Sequence, residues 1–229
     1  MQDLQLIIFD WDGTLSDSAD RIVKAVHQGA REVGLPERSD QDVRNIIGLG
    51  LLESFRVLYP EIDEVQLEPF SAAYRDAYLD SAQSTAVLFD GVVDTLNVLR
   101  EKYTLAVATG KSRVGLDREL AETGLTSYFA ATRCADETLP KPDPLMLVEL
   151  FTEIGIGPEH SLMIGDTDHD IGTARNGGVV AVAVTCGAQL VDRLEAAKPA
   201  ALLNDVTELP EWLNQGGSGS FASDFTPGV

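Results

Sequence analysis

The chain has 229 residues, of which 44% are hydrophobic and 24% are charged, a composition typical of a folded globular protein. Its formal net charge of −20 and the lack of any basic run disfavour binding to the phosphate backbone of a nucleic acid. Two cysteines are too few for a disulfide framework, and no apolar stretch approaches the roughly 20 residues that span a bilayer. We therefore expect a cytoplasmic protein without nucleic-acid or membrane partners, either a monomer or a homodimer.

The first predicted elements are a buried strand and a long helical segment. Leu4 to Phe9 form a short apolar run that ends at Asp10, as expected for a buried strand. From Ile22 to Val33 apolar side chains recur at helical spacing, and later stretches repeat this periodicity without a strand pattern. We interpret residues 18–88 as a small, all-helical unit inserted after the first strand.

From residue 89 onward, apolar strands alternate with helical patterns. The predicted strands are Thr104–Ala108, Tyr128–Thr132, Ser161–Gly165, Val179–Val184 and Ala200–Leu203, and the predicted helices are Val92–Leu99, Arg113–Thr123, one beginning near Pro144, and Ile171–Asn176. This alternation indicates an α/β fold with a Rossmann-like parallel sheet flanked by helices. We assign residues 1–17 and 89–214 to this core, and we predict that the Gly- and Ser-rich residues 215–229 are a disordered tail.

Chemically active side chains follow several of these strands. Asp10, Thr109 and Asp166 each stand at a strand end, and Lys141 lies in a proline-rich loop just before a helix. In an open parallel sheet, ligands bind at the carboxyl ends of the strands, so these side chains should converge. Carboxylates, a hydroxyl and a cation together suit phosphoryl transfer. The combination predicts a site for a small phosphorylated metabolite.

The run Phe9-Asp10-Trp11-Asp12-Gly13-Thr14 carries the strongest chemical signal. Asp10 can attack phosphorus and form an acyl phosphate, while Asp12 can protonate the leaving oxygen and later take a proton from water. The alternative is a plain strand end with a capping aspartate, because Asp-Gly is a common turn dipeptide. Trp11 is expected to point away from the nucleophile and to pack in the core.

A second acidic cluster spans Gly165 to Asp170. Such carboxylates can complete the oxygen shell of Mg²⁺, which would shield the negative charge between the nucleophile and a phosphate. We favour Asp166 as a metal ligand and Asp170 as a second carboxylate of the metal site. An acidic N-cap for the following helix is the alternative. Asp168 is expected to be exposed or capping, and His169 to face solvent from a loop.

Two further groups complete the predicted site. Flanking prolines stiffen the loop around Lys141, so its ammonium group could neutralise the nucleophile and the transferring phosphoryl group. Thr109 and the amide of Gly110 could donate hydrogen bonds to phosphate oxygens. Taken singly, a solvated surface lysine and a plain strand-ending threonine are the alternatives.

Together these motifs resemble the haloacid dehalogenase-like hydrolase superfamily, and within it the phosphoglycolate phosphatase-like branch. The resemblance runs from Leu6 to about Leu203. The family's motifs match Asp10–Thr14 (Asp-x-Asp-Gly-Thr), Thr109 after a strand, Lys141 in Lys-Pro-Asp-Pro, and Gly165–Asp170 (Gly-Asp-x-x-x-Asp). The resemblance implies a helical cap inserted after the first motif, and Mg²⁺ held by Asp10, the carbonyl of Asp12, and Asp166.

Particular residues separate the branches of this superfamily. Dehalogenase relatives need no acid to protonate a leaving alkoxide and lack the second aspartate, so Asp12 argues against dehalogenation. A Schiff-base lysine of the phosphonatase type would have to be Lys24, the single lysine in the cap region. The run Thr109-Gly110-Lys111-Ser112 is more similar to the phosphatases than to the sugar-phosphate mutases, which share the aspartate pair.

The predicted function is Mg²⁺-dependent hydrolysis of a small phosphate monoester through an aspartyl phosphate on Asp10. Arg44 and the Gly48–Gly50 turn are the candidates for the cap surface that closes on substrate. A simple turn between helices is the alternative there. Two rival hypotheses are an intramolecular phosphotransferase, such as a sugar-phosphate mutase, and a binding module that has lost catalysis.

Overall fold

A single six-stranded sheet lies at the centre of the computed structural model, which describes residues 3–80 and 86–217. The strands are β1 (Leu6–Phe9), β2 (Thr104–Thr109), β3 (Ala131–Cys134), β4 (Ser161–Gly165), β5 (Val180–Val184) and β6 (Ala201–Leu203). Their spatial order is β3-β2-β1-β4-β5-β6, and every neighbouring pair is parallel. β1 therefore lies between β2 and β4, where the direction of winding reverses and the ligand crevice of such sheets forms.

Helices cover both faces of this sheet. In chain order the helices are α1 (Ala19–Glu32), α2 (Asp40–Arg44), α3 (Leu51–Leu58), α4 (Glu64–Asp80), α5 (Val92–Arg100), α6 (Arg113–Thr123), α7 (Leu145–Ile154), α8 (Asp168–Asn176), α9 (Val191–Ala196) and α10 (Leu209–Asn214). In β1, Ile7 and Phe9 pack on one face while Leu6 and Ile8 pack on the other, and all are fully buried. Burying each such side chain stabilises the fold by about 1.5–3 kcal/mol. The parallel α/β core predicted from the apolar runs is confirmed.

The helices α1 to α4 form a packed unit between β1 and α5. α1 and α4 approach closely, since a Cβ added to Gly29 would lie 2.9 Å from the backbone nitrogen of Tyr74. The apolar core of this unit contains the stacked rings of Phe55 and Phe70, whose centroids are 4.0 Å apart. The all-helical cap is confirmed, although residues 81–85 of its predicted range lie outside the described residues.

Two adjacent segments connect the cap to the sheet domain. The amide of Asp17 donates a 2.8 Å hydrogen bond to the carbonyl of Val87. Ser16 and Leu88 pair as an isolated antiparallel bridge. The chain therefore leaves the sheet domain and returns to it at one place, beside the carboxyl end of β1.

Some element boundaries differ from the sequence prediction. β3 begins later than predicted, because Tyr128 and Phe129 pack against the core instead of joining the sheet. α8 begins earlier than predicted, because Thr167 caps it and forms a capping box with Asp170. α3 was not predicted. Its N-cap is Gly50, which offers no side-chain capping signal.

The structure also bears on the expectations about membrane spans and about the C-terminal tail. Among the described residues, no helix combines the length and the apolar character needed to cross a membrane. α10 ends at Asn214, and residues 215–217 follow it as a turn and bend. Residues 218–229, most of the predicted disordered tail, lie outside the described residues.

Candidate active site

Asp10 and Asp166 directly follow the carboxyl ends of adjacent strands. Asp10 follows β1 and Asp166 follows β4, and the amide of Asp10 donates a 2.8 Å hydrogen bond to the carbonyl of Ile164. Both acidic residues are fully buried. The parallel register of β1 and β4 therefore brings the two carboxyl groups to one edge of the sheet, as the strand-end pattern predicts.

Lys141 lies between two buried carboxylates. Its Nζ is 2.8 Å from Oδ1 of Asp10 and 2.6 Å from Oδ1 of Asp170. Only 1% of the residue is exposed. Such charge-assisted hydrogen bonds are short and strong, and removing one partner would leave a buried charge uncompensated. The surface-lysine alternative therefore does not apply.

Asp10, Asp166 and Asp170 form a cluster that fits a divalent cation. One carboxylate oxygen from each residue lies within 4.8 Å of the other two. Oδ2 of Asp10 is buried and accepts no hydrogen bond from any described residue. Hard cations such as Mg²⁺ prefer oxygen ligands of this kind, so both the donor set and the unsatisfied oxygen fit that ion.

Burial and repulsion perturb the acidity of the strand-end carboxyls. Burial, together with Asp170 and Asp12, raises the pKa of Asp10 to about 7, although Lys141 acts to lower it. Burial and the charges of Asp10 and Asp170 also raise the pKa of Asp166 well above its ordinary value. Negative charge is thus concentrated in a poorly solvated place, and a bound cation would relieve it.

Asp166 is held in one orientation by its surroundings. Its Oδ1 accepts a 2.9 Å hydrogen bond from Oγ1 of Thr14, and its Oδ2 accepts a 2.7 Å bond from the amide of Ala188. A Cβ added to either Gly13 or Gly187 would lie 2.2 Å from that Oδ2. Gly13 also has a φ of +83°, which favours glycine. These two glycines permit the close approach that the buried carboxylate requires.

Asp170 combines helix capping with charge pairing. Its Oδ2 accepts a 3.0 Å hydrogen bond from the amide of Thr167, and its own amide donates to Oγ1 of Thr167 at 3.3 Å. Its Oδ1 contacts Lys141. The N-cap of α8 is therefore Thr167 and not an aspartate, and the acidic N-cap alternative is wrong. Asp170 is the N3 residue of the capping box, and the same side chain belongs to the carboxylate cluster.

Asp12 lies on the cap side of the site. Its Oδ1 accepts a 2.6 Å hydrogen bond from Oγ of Ser18 and lies 3.0 Å from Nζ of Lys111. Asp12 is 7% exposed and lines the same cavity as Asp10. The two carboxylates of the Asp-x-Asp motif thus face one volume from different surroundings, as two different chemical roles would require.

A cavity of about 450 Å³ lies between the sheet domain and the cap, with Asp10 and Asp12 in its wall. Thr109 and Gly110 line it on the sheet side, and the Gly48–Leu49 turn lines it on the cap side. Oγ1 of Thr109 accepts a 3.2 Å hydrogen bond from the amide of Lys111. Because a hydroxyl both accepts and donates, its hydrogen can still be donated to a phosphate oxygen.

The sequence matches a family model described as haloacid dehalogenase-like hydrolase over residues 7–184. The chain belongs to the haloacid dehalogenase-like hydrolase family. "Probable phosphatase IndB" of Dickeya dadantii is 35% identical to it over 89% of this chain and 91% of the relative. A phosphoglycolate phosphatase of Agrobacterium fabrum is 30% identical over 89% of this chain and 90% of its own length. The crystal structure of a hydrolase from Pseudomonas syringae matches with a TM-score of 0.84 and 25% identity, covering 92% and 98% of the two chains.

These matches confirm the resemblance that the four motifs indicate. Both relatives bear the name of a phosphatase and align over nearly their whole length. The haloacid dehalogenase-like chain is therefore an enzyme of the phosphatase class, in the phosphoglycolate phosphatase-like branch. Asp12, the second aspartate of the first motif, agrees with this assignment.

Arg44 does not line the cavity of this haloacid dehalogenase-like chain. Its guanidinium pairs with the carboxylate of Asp20 on α1, at the cap surface. Arg44 is absent from the described residues that line the cavity. The direction of this side chain could not be read from the sequence because α2 is only five residues long. The cap lines the cavity with the Gly48–Leu49 turn, the other feature proposed for this surface.

Asp168 and His169 stand in the first turn of α8, and the expectations for both are wrong. The carboxylate of Asp168 lies 2.8 Å from Nε of Arg193 and accepts a 2.9 Å hydrogen bond from the side-chain Nε2 of Gln189. Nε2 of His169 lies 3.2 Å from the carbonyl oxygen of Asn45 in the cap. These side chains therefore connect α8 to α9 and to the cap rather than facing solvent.

A second buried cation, Lys111, lies beside Asp12 and was not predicted to belong to the site. Its Nζ is 3.2 Å from Oε1 of Glu119 and 3.2 Å from the hydroxyl of Tyr78 on α4. Although burial acts to lower it, the pKa of Lys111 stays well above its usual value because of Asp12, Tyr78 and Glu119. Its place two residues after Thr109, at a strand end, is the sequence signal that could have indicated it.

Trp11 packs in the core as predicted, and it also carries a hydrogen bond. Its ring is fully buried and meets Phe129 edge to face, with centroids 6.4 Å apart. Its Nε1 donates a 2.6 Å hydrogen bond to Oε2 of Glu119. The Glu119 carboxylate therefore joins Trp11, Lys111 and the cap residue Tyr78 in one buried network.

Proposed function

We propose that this phosphatase hydrolyses a small phosphate monoester through an aspartyl phosphate on Asp10, with Mg²⁺ as its cofactor. The observation that carries the proposal is the environment of Asp10. Its Oδ1 is held 2.8 Å from Nζ of Lys141, while its buried Oδ2 lacks a hydrogen-bond donor among the described residues, at the wall of the cavity. A carboxylate in this state is suited to bind a cation and to attack an electrophile.

Asp10, Asp166 and the main-chain carbonyl of Asp12 would hold Mg²⁺. The bound ion would shield the negative charge between the carboxylates and the phosphate group. Asp170 belongs to the same cluster, but Lys141 and Thr167 already contact its two oxygens. We therefore assign Asp170 chiefly to positioning Lys141.

The residues of the site divide the reaction into two displacements. Asp10 attacks phosphorus, and the bond from phosphorus to the leaving oxygen breaks as Asp12 gives that oxygen a proton. Water then attacks the phosphorus of the aspartyl phosphate, Asp12 takes up its proton, and inorganic phosphate leaves Asp10. Lys141, the hydroxyl of Thr109 and the amide of Gly110 stabilise the negative charge on the phosphoryl oxygens.

A relative named phosphoglycolate phosphatase supports a small phosphorylated metabolite as substrate, and phosphoglycolate is the reference ester with which esters of other alcohols are compared. The net charge of −20 supports the absence of a nucleic-acid partner. We propose that the protein acts in the cytoplasm, away from membranes, as a monomer or homodimer.

Phosphate release from a panel of phosphate monoesters tests the proposal, measured with Mg²⁺ and with EDTA. The variants are Asp10→Asn and, as a matched control, Asp20→Asn, whose side chain is 76% exposed on the cap. We expect metal-dependent release that Asp20→Asn retains and that Asp10→Asn reduces by at least about 1,000-fold. Acid quenching during turnover should trap phosphate on the peptide that contains Asp10, detected by mass spectrometry.

Three other outcomes would contradict the proposed reaction and favour an alternative. Equal release by Asp10→Asn would exclude Asp10 as the nucleophile. An isomerised sugar phosphate formed without free phosphate would favour the phosphotransferase hypothesis. No release by the wild type from any ester of the panel would favour the binding module.

A further inference from the structure

Apolar side chains of the cap form much of the cavity wall beyond the two carboxylates. Ile22 and Val26 of α1, Ile47 and Leu49 after α2, and Phe55 of α3 line it. Each of these residues is at most 9% exposed and belongs to the apolar core of the cap. The wall is therefore part of a packed element, and its shape and chemistry are built into the fold.

Aromatic rings continue this wall. The rings of Phe55 and Tyr74 meet edge to face, with centroids 5.5 Å apart, and the rings of Tyr74 and Tyr78 lie 5.9 Å apart. All three residues line the cavity. An apolar group buried against such a surface gains about 25 cal/mol for each Å² removed from water. The cavity volume of about 450 Å³ suits a ligand far larger than the two-carbon glycolate group.

The cations that line the cavity already have carboxylate partners. Among the described residues they are Lys111, Arg75 and Arg118. Nζ of Lys111 lies 3.0 Å from Oδ1 of Asp12. Arg75 lies 2.9 Å from a carboxylate oxygen of Glu68 on α4, and Arg118 lies 2.6 Å from one of Glu122 on α6. A carboxylate on the substrate would have to compete with these protein carboxylates for its counter-charge. The competition is strongest at the buried Lys111, because the two arginine pairs are partly exposed and therefore weaker.

Acidic side chains in the cavity wall further disfavour a substrate that carries a carboxylate. The exposed Asp136 lines the cavity, and so do the buried residues Asp10, Asp12 and Glu119, each at most 7% exposed. A second carboxylate entering between them would meet like charges in a poorly solvated space, which is unfavourable unless a cation compensates it. The phosphate group has Lys141 and the proposed metal for this purpose, whereas the leaving-group end of the cavity has an apolar wall.

We infer that the leaving group of the substrate is an uncharged, apolar alcohol of about the size of an aromatic ring, and that alcohols carrying a carboxylate are disfavoured. The inference rests on the proposed function, because it concerns the ester hydrolysed at Asp10. The apolar cap wall selects the alcohol, and the catalytic carboxylates act on the phosphate.

Benzyl phosphate and its para-carboxylate analogue form a matched pair of probes. The added carboxylate is remote from the bond that breaks, so the two esters have similar intrinsic reactivity and differ mainly in charge at the cap. Phosphoglycolate is the third probe. For the wild type with Mg²⁺, we expect kcat/KM for benzyl phosphate to be at least about tenfold higher than for either acidic ester.

Two arginine substitutions on α3 test whether the cavity wall causes the preference for benzyl phosphate. Leu51 lines the cavity, whereas its neighbour Leu52 is 43% exposed and is not among the described residues that line it. Leu51→Arg should reduce the preference for benzyl phosphate over its para-carboxylate analogue by at least about tenfold, because it adds a cation beside the apolar wall. Leu52→Arg adds the same charge to the same helix and should leave the preference unchanged.

Failure of the inference can be distinguished from failure of the proposed function. Equal rates for the matched pair, a preference for phosphoglycolate, or release only from esters of polar alcohols would overturn the inference, while the phosphatase reaction would stand. An unchanged preference in Leu51→Arg would overturn the assignment of the cavity to the leaving group. No phosphate release from any ester would overturn the proposed function, and the inference with it.

Discussion

Burial raises the pKa of Asp10 while the pairing with Lys141 lowers it, and the effect of burial is larger. The pKa of this carboxyl is raised from its ordinary 3.8 to about 7, although Nζ of Lys141 lies 2.8 Å away. Between these two pH values the folded metal-free protein retains a proton that the unfolded chain has lost. The stability contributed by this proton is fully present below the ordinary pKa and is lost as the pH rises toward 7.

Mg²⁺ binding should therefore become more stabilising as the pH rises. A metal ligand must be deprotonated, so the ion competes with the proton on Asp10 at about pH 6 and much less at about pH 8. We expect the increase in Tm caused by Mg²⁺ to be larger at the higher pH, as measured by thermal unfolding. Asp10→Asn should lose most of this increase at both pH values. An increase in the wild type that does not vary with pH would contradict the role of this carboxyl.

Lys111 should act on turnover through its contact with Asp12. Lys111→Met removes the ammonium 3.0 Å from Oδ1 of Asp12, and a misplaced catalytic group can reduce the rate about 100-fold. We expect kcat to fall by about 10- to 100-fold with a smaller change in KM. Lys102→Met removes an exposed lysine and should leave kcat unchanged.

A purely structural role for Lys111 would give a different result. Lys111→Met leaves Glu119 with one charged partner fewer, and that loss can lower the stability of the fold. The double variant Lys111→Met with Glu119→Gln should recover stability in thermal unfolding without recovering kcat. Recovery of both would show that Lys111 serves the fold and not the reaction.

Among individual residues, the sequence pattern predicted the site residues that follow strand ends. Asp10 and Asp166 converge as predicted, because the carboxyl ends of parallel strands share one edge of the sheet, and Lys141 reaches Asp10 from the loop before α7. The contacts of Lys111 could not be read in the same way. Its partner Tyr78 comes from a cap helix, and no local spacing relates the two residues. Their contact depends on how the cap docks.

Among the elements, α8 links helix capping to the carboxylate cluster. Thr167 is its N-cap, and Oγ1 of Thr167 also donates a 2.6 Å hydrogen bond to Oδ2 of Asp170. Oδ1 of the same carboxylate contacts Lys141. The first turn of this helix therefore fixes the residue that positions the buried lysine.

Thr167→Ala should weaken both the helix and metal binding. Loss of an N-cap costs about 0.5–2 kcal/mol. Thr167 also holds Asp170, which positions Lys141 beside the proposed metal ligand Asp10, and loss of such a supporting hydrogen bond typically lowers metal affinity about 10-fold or more. Ser39→Ala removes the N-cap of α2, whose Oγ accepts a 3.1 Å hydrogen bond from the amide of Asp42 at the cap surface. Both variants should unfold at lower denaturant concentration, but only Thr167→Ala should bind Mg²⁺ more weakly. Equal Mg²⁺ affinity in the two variants would show that the capping box does not contribute to metal binding.

The strands of the core were more predictable than the details of the helices. Continuous apolar runs located β2, β4, β5 and β6 within a residue, since strands buried on both faces exclude polar side chains. β3 was misplaced because the aromatic pair Tyr128 and Phe129 resembles a strand but packs against the core. α3 was missed because Gly50 begins it without a side-chain cap.

Over the whole molecule, the position of the cap relative to the sheet is the feature least accessible from sequence. The two parts meet where Gly110 faces the carbonyl oxygens of Gly48 and Leu49. This contact joins backbone atoms that are distant in the chain, so neither periodicity nor motif spacing encodes it. The helical insertion itself was predictable, whereas its docked position depends on the absence of a side chain at Gly110.

Gly110→Ala should therefore disturb the docking of the cap and impair catalysis. The added Cβ would lie 2.5 Å from both carbonyl oxygens, and these backbone atoms cannot rotate away as a side chain could. Separation of the cap would admit water and displace the apolar wall, so we expect kcat/KM to fall by about 10- to 100-fold. Gly157→Ala is the matched control, since the three atoms nearest to its methyl group would belong to the flexible carboxylate of Glu159. Wild-type kcat/KM in Gly110→Ala would mean that turnover does not require the close approach of cap and sheet.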